Sequence, residues 1–211
     1  MHPLLDLLLA ATEGRFAPVD GRVEVMAPTI GGDHAMVEFT GHAVVVTDRD
    51  PEQVAARGAD GFGGAAHPDF VRWLAGPSGW IGSHDAVLVA RGTGGGLIAE
   101  TDSFDDHPRV LRSRAHRRDV RVHADETGLI TIGRGLVDRL EMSVELLASS
   151  DHGVGHGRRL VAIGRSLITE GTPVFAQVAP GNAASLRAFL SSGFVPIGAE
   201  ILIRRGPEVT S

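Results

Sequence analysis

Strand-forming and helix-forming stretches succeed one another along the second half of the chain. Val120 to Asp125, Leu129 to Gly135 and Leu140 to Ala148 read as three strands joined by short turns, the first at Glu126-Thr127-Gly128. Strands this closely spaced form an antiparallel meander. Helical spacing then takes over from Gly157 to Thr169, followed by a strand at Pro173 to Val178 and a second helix at Ala183 to Ser191. Phe194 to Ile203 closes the pattern as one or two strands. Upstream, Arg22 to Met26 and His34 to Thr47 are valine-rich, are separated by Pro28 and Gly31-Gly32, and read as a hairpin. Short helices are expected at Pro3 to Ala11, at Pro51 to Arg57 behind the N-cap Asp50, from Pro68 through Leu74, and near Pro108 to Arg117. Asp85 to Arg91 adds a strand.

This order predicts an α+β protein: a core over residues 85–205 with a mixed, mostly antiparallel sheet flanked by helices, an N-terminal region over 1–84 made of the hairpin and short helices, and a tail at 206–211. The early elements could instead enlarge the core into one domain. With 43% hydrophobic residues among 211, the chain has enough apolar surface for a sizeable core. A net charge of −6 lacks the basic excess that binds a phosphate backbone, which argues against nucleic acid as a partner. The absence of cysteine excludes disulfides, thiolate metal sites and a cysteine nucleophile. The apolar run at Pro3 to Ala11 contains Asp6, lacks a basic flank and is too short to span a bilayer, so a cytoplasmic protein without a membrane partner is expected. All 20 basic residues are arginine, a bias of coding composition. Arg109, Arg112, Arg114, Arg117 and Arg118 read as a solvated face or as an anion contact.

Two segments carry candidate chemistry. His152-Gly153-Val154-Gly155-His156-Gly157-Arg158 lies between a strand and a helix, where glycines allow close backbone approach and a helix N-terminus favours a phosphate or pyrophosphate. A P-loop is excluded because Arg158 and Arg159 stand where Lys and Ser or Thr are needed. The glycine spacing also fails the dinucleotide fingerprint. In the second segment, Asn182 can cap a helix on which Ser185 and Phe189, four apart, would turn a polar group and an aromatic toward one ligand. The histidines form no metal set: His152 and His156 lack an acidic or histidine companion, so no metal is expected.

Together the segments resemble the GNAT superfamily of acetyl-CoA-dependent N-acetyltransferases. His152 to Gly157 resembles the family's pyrophosphate loop, and Asn182 to Phe194 matches its Asn-x-x-Ala/Ser-x-x-x-Tyr-x-x-x-Gly-Phe pattern at every spacing. The resemblance covers Val120 to Ile203. It implies acetyl-CoA as co-substrate, a small-molecule or peptide amine as acceptor, and direct attack on the thioester, and it leaves room for a homodimer. It also implies that the strand Leu140 to Ala148 splays from its neighbour, with Leu146 and Leu147 nearest the thioester and a backbone N–H stabilising the oxyanion. Glu141, Ser143 and Glu145 share a face of that strand, and an amine needs a base. The resemblance puts Glu141 first and Glu145 second. His152 stands where the family prefers Arg or Gln, and Phe189 where many members carry a general-acid tyrosine. A thiol with a pKa of about 8.5 can leave as the anion without that acid. Two other readings stay open: a non-catalytic acyl-CoA-binding or scaffold protein with a degenerate GNAT fold, and transfer of a longer acyl chain.

Overall fold

The computed structural model describes residues 1–29, 32–147 and 155–206. It is a mixed α+β structure whose chain divides into two compact units, residues 1–86 with 197–211, and residues 87–196. The strand β4, Trp80–Arg91, contributes its first residues to one unit and its last to the other.

The first unit begins with α1, Pro3–Ala11, capped by His2. Its strands are β1 (Val23–Met26), β2 (His34–Phe39) and β3 (His42–Val46), joined by β9 (Val195–Arg204) in the order β1-β3-β2-β9, with the start of β4 beyond β9. The expected hairpin is corrected here. The His34–Thr47 stretch itself folds back at Thr40-Gly41 into antiparallel β2 and β3, while β1 lies parallel to β3. The closing strand β9, expected in the 85–205 core, pairs antiparallel with β2 in this unit. Helix α2 (Pro51–Ala55) follows the cap Asp50, and α3 (Pro68–Ala75) presents Phe70, Val71, Leu74 and Ala75 on one face. These pack with Met36, Val45, Ile201 and Ile203 into an apolar core. Each such side chain contributes about 1.5–3 kcal/mol by leaving water.

In the second unit the order is β8-β7-β6-β5, with the end of β4 beyond β8. The expected meander is present as β5 (Arg118–Ala124), β6 (Gly128–Arg134) and β7 (Leu140–Leu146), all antiparallel. After β7 come α5 (His156–Ser166), β8 (Pro173–Val178) and α6 (Ala183–Ser191). Strand β6 is buried on both faces along Gly128 to Gly133. On one face α5 supplies Leu160, Val161 and Gly164, the last so close to Met142 that a Cβ would stand 2.3 Å from its methyl carbon. On the other lies α4, Pro108–His116, whose Val110 packs against Val122 and Leu129. No described helix is long and apolar enough to cross a membrane.

Candidate functional site

The face of α4 that meets the sheet is apolar only at Val110. Residues 109, 113 and 117, spaced by four, run along β7 residues 145, 143 and 141, spaced by two: the first and last pairs meet directly, and Ser113 connects to Ser143 through Thr131 of β6. Four helical residues rise about 6 Å and two strand residues about 6.7 Å, so the two repeats stay in step. Arg109 donates from Nε to Glu145 at 2.7 Å and approaches it from Nη2 at 2.6 Å. The Ser113 hydroxyl meets Thr131 of β6 at 2.9 Å, and Thr131 meets Ser143 at 2.7 Å. Arg117, just past the end of α4, donates from Nε to Glu141 at 2.7 Å. Its Nη1 reaches Ser143 at 3.3 Å and Thr131 at 3.5 Å, and its Nη2 reaches Gln177 Oε1 of β8 at 3.2 Å.

Glu141 sits at the closed end of this polar seam, 3% exposed. A second guanidinium, Arg139, donates from Nε to its other oxygen at 2.8 Å, and the Leu136 N–H reaches the same oxygen at 3.3 Å. Burial pushes the Glu141 carboxyl up, but the Arg139 and Arg117 charges and hydrogen bonds outweigh it and hold the group below its ordinary range. The β6–β7 turn is shaped to this carboxylate. A Cβ at Gly135 would stand 2.2 Å from the Glu141 carboxyl carbon, so any other residue there would push the carboxylate off its two arginines. Val137 in the same turn has φ 48°, a strained conformation for a β-branched residue.

Strands β7 and β8 run parallel and, among the described residues, share one register pair, Glu141 opposite Phe175. By contrast β6 and β7 pair from Gly128 opposite Leu146 to Arg134 opposite Leu140. Amides alternate in direction along a strand. The Leu147 N–H donates to Thr127 O on the β6 side. Those of Val144 and Leu146 therefore turn toward β8, where register pairing has stopped.

The loop candidates divide. His152, Gly153 and Val154 lie outside the described residues. Gly155 is the N-cap of α5 at φ 93°, in the left-handed region that favours glycine, and His156 opens the helix. Gly157 packs toward Ala188 of α6, 3.6 Å from where its Cβ would be. Arg158 is exposed and lines, with Arg159, Arg165 and the end of α6 at Ser191 to Gly193, a depression of about 570 Å³. Arg159 also reaches back to the β5–β6 turn, 2.7 Å from Asp125. Leu146 is half-buried at the end of β7, and Leu147 is 40% exposed.

Helix α6 starts as expected, with Asn182 Oδ1 accepting from the Ser185 N–H at 3.1 Å. Ser185 is half-buried, and Phe189 is buried. It is 4% exposed, with its ring edge-on to Phe194 at 4.9 Å. A ring without a hydroxyl has no polar end to keep at a surface. The arginine run is likewise no simple solvated face. Arg114 and Arg118 form exposed pairs with Asp105 and Asp138, whereas the Arg117 side chain is 9% exposed. Sequence reasoning missed Arg139, Thr131 and Gln177 altogether. It ranked Glu141 as first base, yet the structure encloses it between two arginines, while Glu145, 36% exposed at its side chain, holds the open end.

No family model and no curated protein matches the sequence. Among solved structures, the chain is similar to a GNAT-family acetyltransferase from Colwellia psychrerythraea, at 13% identity and a TM-score of 0.37 over 60% of this chain and 57% of that one. This chain thus spans little more than half of that protein. It is equally similar to a functionally unknown conserved protein from Staphylococcus epidermidis, at 13% identity and a TM-score of 0.37, covering 66% of this chain and 68% of that one. At these scores neither likeness bears on activity.

Proposed function

We propose that this protein is an acyltransferase of the GNAT type that moves an acetyl group from acetyl-CoA to an amine. The observation that carries the reading is that parallel β7 and β8 share, among the described residues, a single register pair, with the glycine-capped start of α5 at Gly155 further along the chain. A strand whose outward amides run past its last register pair is a ready surface for the amide-bearing arm of an acyl-CoA, because buried backbone donors need acceptors. The amine attacks the thioester carbonyl, the oxyanion forms against a β7 amide, with Val144 and Leu146 as the donors of suitable direction, and the thiolate leaves. Leu147, a sequence candidate for this contact, already gives its N–H to Thr127.

An ammonium acceptor must first lose a proton. A carboxylate held ionised by two buried guanidiniums is a poor proton acceptor, so in this reading Glu141 orders the sheet and Glu145 takes the proton once Arg109 yields it. Titration calorimetry with acetyl-CoA and with CoA tests the site, and micromolar binding of either supports it. CoA release across a panel of amines then tests the reaction, with Glu145→Gln expected to lower turnover at least tenfold while leaving CoA affinity within twofold. A folded protein that binds neither ligand would overturn the reading.

A second reading is favoured by Phe189, whose burial in the α6 core leaves the family's usual acid position without a polar group. On that reading the chain binds acyl-CoA without turning it over. Binding with no CoA release from any amine would select it.

A further inference from the structure

Gln177 is the β8 residue that the polar seam of α4 and β7 reaches. Its side chain lies on the α4 face of β8, two residues beyond Phe175, the partner of Glu141 in the one register pair. Arg117 donates to its Oε1 at 3.2 Å. A guanidinium has only donors, so this contact fixes which end of the amide is oxygen and which is nitrogen. The same guanidinium is itself held on the β6–β7 side by Glu141, Ser143 and Thr131. The amide plane of Gln177 is thus set from outside. Its Nε2 is buried and has no hydrogen-bond partner among the described residues.

A buried amide nitrogen without an acceptor costs folding free energy, and native structures carry few of them. Such a group, oriented by a neighbour and left over where a sheet stops pairing, has the form of a donor awaiting a ligand's oxygen. We propose that Gln177 is a ligand-binding residue whose Nε2 donates to a carbonyl oxygen of the bound acyl-CoA, and that Arg117 is the positioning residue that aims it. The inference rests on the acyl-CoA reading for the identity of the ligand. The carbonyl belongs either to the pantetheine amides, present in CoA and acetyl-CoA alike, or to the thioester, present only in the acetylated form.

Calorimetry on the full chain with Gln177→Glu and Gln177→Met tests this. Glu at 177 keeps an oxygen for Arg117, adds a charge it can pair with, and replaces the donor by an acceptor. Thermal stability is therefore expected to hold or rise while affinity for acetyl-CoA falls at least tenfold. Met at 177 keeps the length of the side chain and removes the amide, with a smaller loss of about threefold to tenfold expected. Equal losses for CoA and acetyl-CoA assign the pantetheine carbonyls, and a loss confined to acetyl-CoA assigns the thioester. Wild-type binding with unchanged affinity in both variants overturns the role of Gln177 and leaves the acyl-CoA site standing. Lower affinity in step with lower melting temperature in both variants overturns it too, since that is the signature of a structural residue. A wild-type protein that binds neither ligand removes both proposals together.

Discussion

The two ends of the α4–β7 seam use the same pair of residue types and do different things with them. At the open end Arg109 and Glu145 meet with side chains 35% and 36% exposed. Water solvates both charges there, and the pair adds little to stability. At the closed end Glu141 meets Arg117 and Arg139 with side chains 4%, 9% and 0% exposed. Desolvation there consumes most of the attraction, so the arrangement is a poor source of net stability but a demanding one: every partner must be present. Burial decides whether an arginine–glutamate pair is exchangeable or fixed. Only the open pair can part without stranding a charge in the interior.

The sharpest way to break this contrast is Glu141→Ala. It strands two guanidiniums in the interior, and a loss of about 3–5 kcal/mol is expected, read from urea denaturation. A midpoint close to wild type would mean that Glu141 is not part of the scaffold and would restore it as a candidate base. Acid sharpens the same point. The folded carboxyl titrates below its ordinary value of 4.5, so its contribution is complete above that pH and is lost as pH falls through the folded value. Wild type should therefore lose stability more steeply below about pH 4.5 than Glu141→Gln, which has no proton to bind there. Other carboxyls held low, including Asp20, Asp60 and Asp125, are common to both proteins and cancel in the difference. Midway along the seam, Ser113→Ala removes one partner of Thr131 but leaves Ser143, and about 1 kcal/mol is expected from the same unfolding measurement.

Much of the second unit was legible because its signals are local. The turn at Glu126 to Gly128, the cap at Asn182 and the glycine after α6 each mark an element boundary, and the strands and helices fall within a few residues of where those signals put them. What was not legible depends on partners far apart in sequence. Nothing near Val23 says that it will lie beside Ala43 in parallel, and nothing near Ile203 says that it will pair with His34. The seam was half visible. The period of two puts Glu141, Ser143 and Glu145 on one face and the sequence clusters Arg109 with Arg117, but only the step of four from 109 through 113 to 117, matched to the step of two on β7, joins them. Phe189 stands on α6 at its motif position, but matching a motif position says where a side chain is attached, whereas burial depends on whether it has a polar group to keep wet.

The smallest expected effect is also the most direct test of the open end. Arg109→Ala, Glu145→Ala and the double variant form a thermodynamic cycle, and a coupling of about 0.2–1 kcal/mol is expected at low salt. It should shrink toward zero as ionic strength rises, because partly exposed charges are screened within a Debye length of about 8 Å at physiological salt. A coupling of several kcal/mol that ignores salt would mean that water does not reach this pair. Arg109 would then hold Glu145 as firmly as Arg117 and Arg139 hold Glu141, and neither carboxylate on β7 would be available to take a proton from an incoming amine. That result would remove Glu145 as the base, and CoA release across amines would then decide between transfer and binding alone.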